Sequence, residues 1–277
     1  MSRAGPETGC SGPASPGVAA DFGPAWLTAD LGRDPAYAPP LAAPALIATD
    51  AVVFGWAPAA GLHVLLVQRG VQPWEGAWAL PGGFVQRGEG LRAAALRELE
   101  EETGLRLGWM EQLGAFGEPG RDPRGRVVSV AFLALVGMGG DAPAGGTDAA
   151  SAAWVPAASL PPLAFDHAEI LTCALARLRH RVAALEPVGL ALLPAAFTLA
   201  QLQRLHEDIL GAPLDKANFR RRLRGWMEGA EPLLEPAAPA APARRGRGPA
   251  PAWYTLRAGV AEALLSRSNQ IFLGELP

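Results

Sequence analysis

From Pro81 to Leu105 the chain reads Pro-Gly-Gly-Phe-Val-Gln-Arg-Gly-Glu-Gly-Leu-Arg-Ala-Ala-Ala-Leu-Arg-Glu-Leu-Glu-Glu-Glu-Thr-Gly-Leu. A Pro-Gly-Gly turn opens onto a helical stretch, 91–103, and Gly104 is placed to stop it. Positions i, i+3 and i+4 of a helix share one side. Glu98, Glu101 and Glu102 therefore converge and repel one another. A hard divalent cation, which takes oxygen ligands, relieves that repulsion. Leu91, Ala95 and Leu99 repeat at i, i+4, i+8 and are expected to be the buried face. The stretch asks for a turn, a helix with an apolar partner, and a cation site.

The flanks supply the partner. Strands are expected at 46–56 and 62–69, with a hairpin turn at Pro58–Gly61. A loop, 70–78, leads back to the Pro-Gly-Gly turn. After the helix come strands around Leu113–Phe116 and Val127–Val136. The loop between them holds Arg121, Arg124 and Arg126. It reads either as a solvated hairpin loop or as a phosphate contact beside the acidic helix. A Gly-rich flexible loop at 137–147 precedes a short strand that begins at Trp154-Val155. A helix starts at the Phe165-Asp166-His167 corner and runs to about Leu185, with Asp166 as its N-cap and His167 as a cap neighbour rather than a catalyst. Val188–Pro194 is a linker or connecting strand.

A Glu-rich helix alone would read as a solvated face. The spacing around this one is narrower than that. Gly83 is followed by five residues, Glu89, seven residues, and Arg97-Glu98-Leu99-x-Glu101-Glu102-x-Gly104-Leu105. This matches the Nudix box without departure. The wider region, about 46–185, resembles the ADP-ribose pyrophosphatase-like branch of Nudix hydrolases through Trp78-Ala79-Leu80-Pro81-Gly82-Gly83 and Asp122-Pro123-Arg124-Gly125-Arg126. The resemblance implies an α/β fold, an α/β/α sandwich with a mixed sheet, over residues 45–187. It implies hydrolysis of the phosphoanhydride in ADP-ribose or a related nucleoside diphosphate derivative, with Mg²⁺ (or Mn²⁺) as cofactor. Arg97, Glu98, Glu101 and Glu102 would be the catalytic set. Glu98 and Glu102 would be direct metal ligands, Glu101 a ligand or proton acceptor, and the Gly82 carbonyl a further ligand on a backbone at positive φ. Arg97 would pair with a box carboxylate, and Glu89 would be a second ligand or an orienting acid. Arg69, Arg121, Arg124 and Arg126 are candidates for the substrate phosphates. The general base would come from the box helix or from a later loop, where Asp141 and Asp148 lie.

The second half changes character. Residues 1–197 hold 13 Arg against 19 acidic residues, a net −6, whereas 198–257 hold 10 basic against 6 acidic, a net +4. Opposite charge on the two parts points to different partners. Thr198-x-x-Gln201 is a capping-box signature. Leu199, Leu202, Leu205 and Ile209 form the stripe of a helix stopped by Gly211. A second helix begins at Asp215, with Phe219, Leu223 and Met227 buried and Lys216, Asn218, Arg220, Arg221, Arg222 and Arg224 exposed. Two short helices and a turn are a helix-turn-helix. Arg244, Arg245 and Arg247 precede the strand-like Trp253–Arg257, which suits a wing. The stretch resembles the winged-helix domain of NrtR-type regulators, Nudix-related regulators of NAD metabolism, over about 195–257. The resemblance implies an operator-binding homodimer and a Nudix domain that senses ADP-ribose. Lys216, Asn218, Arg220, Arg221 and Arg224 would meet double-stranded DNA from the helix. Arg244, Arg245 and Arg247 would meet it from the wing. Two departures stand out: a Pro/Ala insertion at 236–243 in the wing, and a box intact where many such regulators have a degraded one. Two readings follow. The chain is a hydrolase fused to a DNA-binding module, or a repressor that senses ADP-ribose without efficient hydrolysis.

Composition narrows the rest. Cys10 and Cys173 do not form a Cys-x-x-Cys pair, which argues against a disulfide framework or zinc site. The N-terminus lacks the apolar run of a signal peptide, and no run approaches the ~20 apolar residues of a bilayer span. The expectation is a cytoplasmic protein without membrane contact. Residues 1–44, rich in Pro, Gly and Ala, are expected to be a disordered tail, and 258–277 a short helix at most and a tail.

Overall fold

The computed structural model describes residues 45–108, 110–138, 149–228, 232–238 and 251–257. The expectations for 1–44, for Asp141 and Asp148, for Arg244, Arg245 and Arg247, and for 258–277 fall outside the described residues.

The long apolar strand β1 (Leu46–Ala57) lies at the centre of a mixed sheet. It turns back through Pro58–Ala60 into β2 (Gly61–Arg69), antiparallel, with Phe54 opposite Val64. On its other side it runs parallel to β6 (Val127–Gly137), in register from Leu46↔Val127 to Trp56↔Gly137. A parallel neighbour requires a crossover, and α1 (Leu91–Thr103) and β5 (Glu111–Phe116) lie within it. The short strands β3 (Trp78–Ala79) and β4 (Gly82–Phe84) add to β2 and β1, and β5 closes the far edge against β6. The strand β7 (Ala149–Pro156) pairs along β2. It is longer than the Trp154-Val155 start suggested, because the run of small residues before it gives no β signal.

Alternation along a strand sends side chains to opposite faces. Val52, Phe54 and Trp56 enter one apolar cluster, which includes Ile170, Ala174 and Leu178 of α2 (His167–Ala183). Ala51 and Val53 enter another, with Ala95 and Leu99 of α1. The result is the expected α/β/α sandwich. Within α1, Ala95 and Leu99 are buried as expected but Leu91 is 37% exposed. Ala94 and Thr103 complete the buried face instead.

Residues 187–192 are neither linker nor strand. They form a 3-10 helix whose Leu190 and Leu192 join the α2-side cluster. Next comes β8 (Phe197–Thr198), then α3 (Leu199–Leu210), which starts at the expected capping box: Thr198 accepts the Gln201 N–H and Gln201 accepts the Thr198 N–H. Leu202, Leu205 and Ile209 are buried, whereas Leu199 is only half-buried. Gly211 ends the helix in the left-handed region, φ 72°. The second helix is broken. α4 (Lys216–Arg222), capped by Asp215, yields at Leu223 to α5 (Arg224–Met227). The break turns Trp226 inward and leaves Met227 partly exposed. A strand the sequence hid, β9 (Leu234–Ala237), pairs with β10 (Trp253–Leu256), and β10 pairs with β8. Pro236 masked β9, since proline reads against a strand interior.

Candidate active site

β4 and α1 bring the box together. Gly82 lies in β4 opposite Asp50 of β1, and its φ of 159° is nearly extended. Close approach, rather than a left-handed turn, demands glycine here. A Cβ at Gly82 would overlap the carbonyl oxygen of Thr49, and one at Gly83 would stand 2.5 Å from the Glu98 carboxylate. The Gly82 N–H donates to Glu102 Oε2 at 2.9 Å. Arg97 is a hub. Its Nε and Nη2 hold both oxygens of Glu89, at 2.8 and 2.9 Å, while Nη1 reaches Glu98 at 2.8 Å and Glu101 at 3.0 Å. These bonds, that to Glu89 foremost, raise the pKa of Arg97, and Arg97 in turn pulls Glu89 down to about 2. Glu89 is thus tied to the clamp and orients it.

Glu98 and Glu102 face a cavity of about 410 Å³, whereas Glu101 does not line it and is half exposed. Among the described residues no three His, Cys, Asp or Glu side chains are arranged to hold a metal ion. The donors present still fit a hard cation. They are carboxylate oxygens beside a glycine cradle, and Mg²⁺ takes only one or two carboxylates when phosphates complete its shell.

The rest of the lining includes basic and aromatic side chains. Arg69, at the end of β2, and Arg124, from the loop after β5, both line the cavity. The Arg69 guanidinium lies 4.9 Å from the Phe165 ring centre, and that of Arg124 lies 5.7 Å from Phe165 and 5.0 Å from Phe84. Burial, and then the charge of Arg124, lower the pKa of Arg69. Arg121 is also at the cavity but buried. It grips Asp166 with two bonds, at 2.7 and 2.6 Å, and approaches Asp50 at 3.5 Å. Burial opposes its charge, yet the Asp166 bonds prevail and raise its pKa. Arg126 turns away and donates to the Gly117 carbonyl. Of the four candidate phosphate contacts, Arg69 and Arg124 retain free nitrogens toward the cavity. Asp166 is the N-cap of α2, as expected, but its side chain makes no capping bond, the carboxylate being taken by Arg121.

Three lining residues escaped sequence reasoning. Asp50 is 6% exposed, receives the Ser129 hydroxyl at 2.5 Å and faces His167 Nε2 at 3.4 Å. The Nδ1 of His167 accepts the Leu80 N–H at 2.9 Å, so the proton of the neutral ring resides on Nε2 and points at Asp50. Burial lowers the His167 pKa and keeps the ring neutral. Phe165 is the third. A signal for Asp50 existed: one acid within an otherwise apolar strand must find a partner.

The basic face of the second half is as expected. Lys216, Asn218, Arg220, Arg221 and Arg224 are exposed on α4 and α5. Arg222 differs, since its Nη2 donates to the Ala183 carbonyl at the end of α2, 3.1 Å away.

The model of the NUDIX domain matches residues 48–173, and that of the NrtR DNA-binding winged helix domain matches residues 189–229. The ADPR responsive transcriptional repressor NtrR of Acinetobacter baylyi is 38% identical over 165 residues, 58% of this chain and 66% of the relative. The ADP-ribose pyrophosphatase of Methanocaldococcus jannaschii is 45% identical over 108 residues, 39% of this chain and 63% of the relative. The chain thus spans slightly under two thirds of these two curated relatives. The crystal structure of Shewanella oneidensis NrtR complexed with a 27mer DNA superimposes with a TM-score of 0.60 at 32% identity, covering 78% of this chain and 95% of that one.

Proposed function

Since the chain belongs to the Nudix family and continues into an NrtR-type winged helix, we propose that it binds ADP-ribose or a related nucleoside diphosphate derivative, cleaves its phosphoanhydride, and binds DNA. One observation carries the first part: carboxylates Glu98 and Glu102 line a single cavity together with arginines Arg69 and Arg124. A diphosphate needs cations on both sides. The arginines supply one side, and a divalent cation, Mg²⁺ in this proposal, held by Glu98, Glu102 and the Gly82 carbonyl supplies the other. When bound, that ion polarises the phosphoryl oxygen and acidifies the attacking water. The chain's own residues do the rest. Arg97 fixes Glu98 and Glu101, Glu89 fixes Arg97, and the neutral His167 and Asp50 form a closed polar floor. Glu101, half exposed and joined to Arg97, is the box carboxylate left to accept a proton.

Purified protein with Mg²⁺ is expected to release AMP from ADP-ribose, and Glu98→Gln or Glu102→Gln to abolish release. No turnover across a panel of nucleotide sugars and dinucleotides would leave the repressor reading alone. That second reading is favoured by the exposed basic face of α4. The protein is expected to shift promoter DNA as a homodimer, with strong salt dependence. Arg220→Ala and Arg221→Ala should each reduce the salt slope by about 1. If both together leave the shift intact, α4 is not the reading helix. The division into a Nudix domain at 45–187 and a winged helix at 195–257, and a cytoplasmic location, belong to this proposal. No helix among the described residues is long and apolar enough to cross a membrane.

A further inference from the structure

Phe165 is a bulky residue at φ 53°, a left-handed conformation that persists only where its surroundings enforce it. The enforcement is visible in the two residues that follow. Asp166 is gripped by Arg121, and His167 is pinned by the Leu80 N–H. The held backbone aims a half-buried ring into the cavity. The ring serves two cations that come from separate elements. The Arg69 guanidinium lies at 4.9 Å and that of Arg124 at 5.7 Å. Each is anchored at its inner edge only: Arg69 Nε by the Pro73 carbonyl, and Arg124 Nε and Nη2 by Asp122. The terminal nitrogens of Arg69 and Nη1 of Arg124 make no hydrogen bond among the described residues. Two like charges on one ring repel, which a bound dianion reverses.

We propose that Phe165 is a positioning residue that fixes Arg69 and Arg124 as a matched pair for the diphosphate of the ligand, an inference resting on the reading of the cavity given above. Strain in the backbone serves placement of charge. The aromatic face, rather than apolar bulk, is what the pair requires, because cation–π attraction needs a ring.

Calorimetric titration with inorganic pyrophosphate and with ADP-ribose, Mg²⁺ present throughout, tests this. Phe165→Leu is expected to weaken both ligands about tenfold, and Phe165→Tyr to restore them to within about twofold. Arg69→Gln should weaken pyrophosphate about tenfold in the native background but under about twofold in Phe165→Leu, since the pairing is already lost there. Equal losses in the two backgrounds, or native affinity in Phe165→Leu, would overturn the inference. So would failure of the native protein to bind pyrophosphate. Pyrophosphate binding with these couplings but no ADP-ribose binding would leave Phe165 its role and remove the nucleoside from the proposed function. Should Phe165→Leu not fold, the Arg69→Gln and Arg124→Gln pair decides: non-additive losses support a matched pair, and additive ones refute it.

Discussion

Gly83 sits hard against the Glu98 carboxylate. Even one methyl group there stands 2.5 Å from the acid. Gly83→Ala is therefore expected to displace Glu98 while the sheet stays intact. Displacements of that size cost on the order of a hundredfold in rate, so kcat for ADP-ribose should fall by about that much with the circular dichroism unchanged. His206 offers a different test. It is 1% exposed, against the rings of Phe219 and Trp226, and burial pushes its pKa down to about 4. The folded state keeps the ring neutral, whereas the unfolded chain takes up a proton near pH 6.5. Stability from this group is thus constant above about 6.5 and falls as pH drops to about 4, by about 1.4 kcal/mol per unit. Urea unfolding across that window should show the loss, and His206→Leu should flatten it.

Among the elements, α1 and α3 were legible almost to the residue, because each announces its ends: Gly104 and Gly211 as left-handed stops, Thr198 and Gln201 as a reciprocal cap. That cap gives a prediction of its own. Thr198→Ala removes one half of the box and should cost about 1 kcal/mol in urea unfolding, without altering nucleotide binding. The misreadings have one physical origin, which is that partners distant in sequence decide them. Asp166 is the N-cap, but its carboxylate goes to Arg121, from a loop 45 positions earlier, and not to the helix. Leu91 fitted the helical period but, as the first residue of α1, stays 37% exposed. Leu190 and Leu192 looked like linker because nothing local says what they cover. In the site, the acidic wall was readable since it sits on one helix. The basic wall assembles from β2, the 120s loop and the turn before α2, and only Arg69 and the loop arginines could be suspected.

Across the molecule, the Nudix sheet and the helix-turn-helix share one apolar cluster. Val52, Phe54 and Trp56 of β1 belong to it, as do Leu202, Ile209, Phe219 and Trp226. Polar ties reinforce the join: the Trp56 indole N–H donates to Asp208 at 2.8 Å, Arg179 to the Ile209 carbonyl and Arg222 to the Ala183 carbonyl. A chain ended after residue 187 would bare the cluster, so it is expected to be insoluble or molten, judged by dye binding and lost near-ultraviolet dichroism. The intact protein should unfold in one transition, with tryptophan fluorescence and far-ultraviolet dichroism coincident. Heating that melts α3–α5 before the sheet would contradict this. Shared packing has a consequence for lifetime in the cell. Any ligand that fills the cavity at a hundred times its Kd adds about 2.7 kcal/mol to the unfolding free energy. With that cluster shared, the increment also protects α3–α5. Proteases act on the open chain, so the amount of protein that survives becomes itself a record of how much ligand was present.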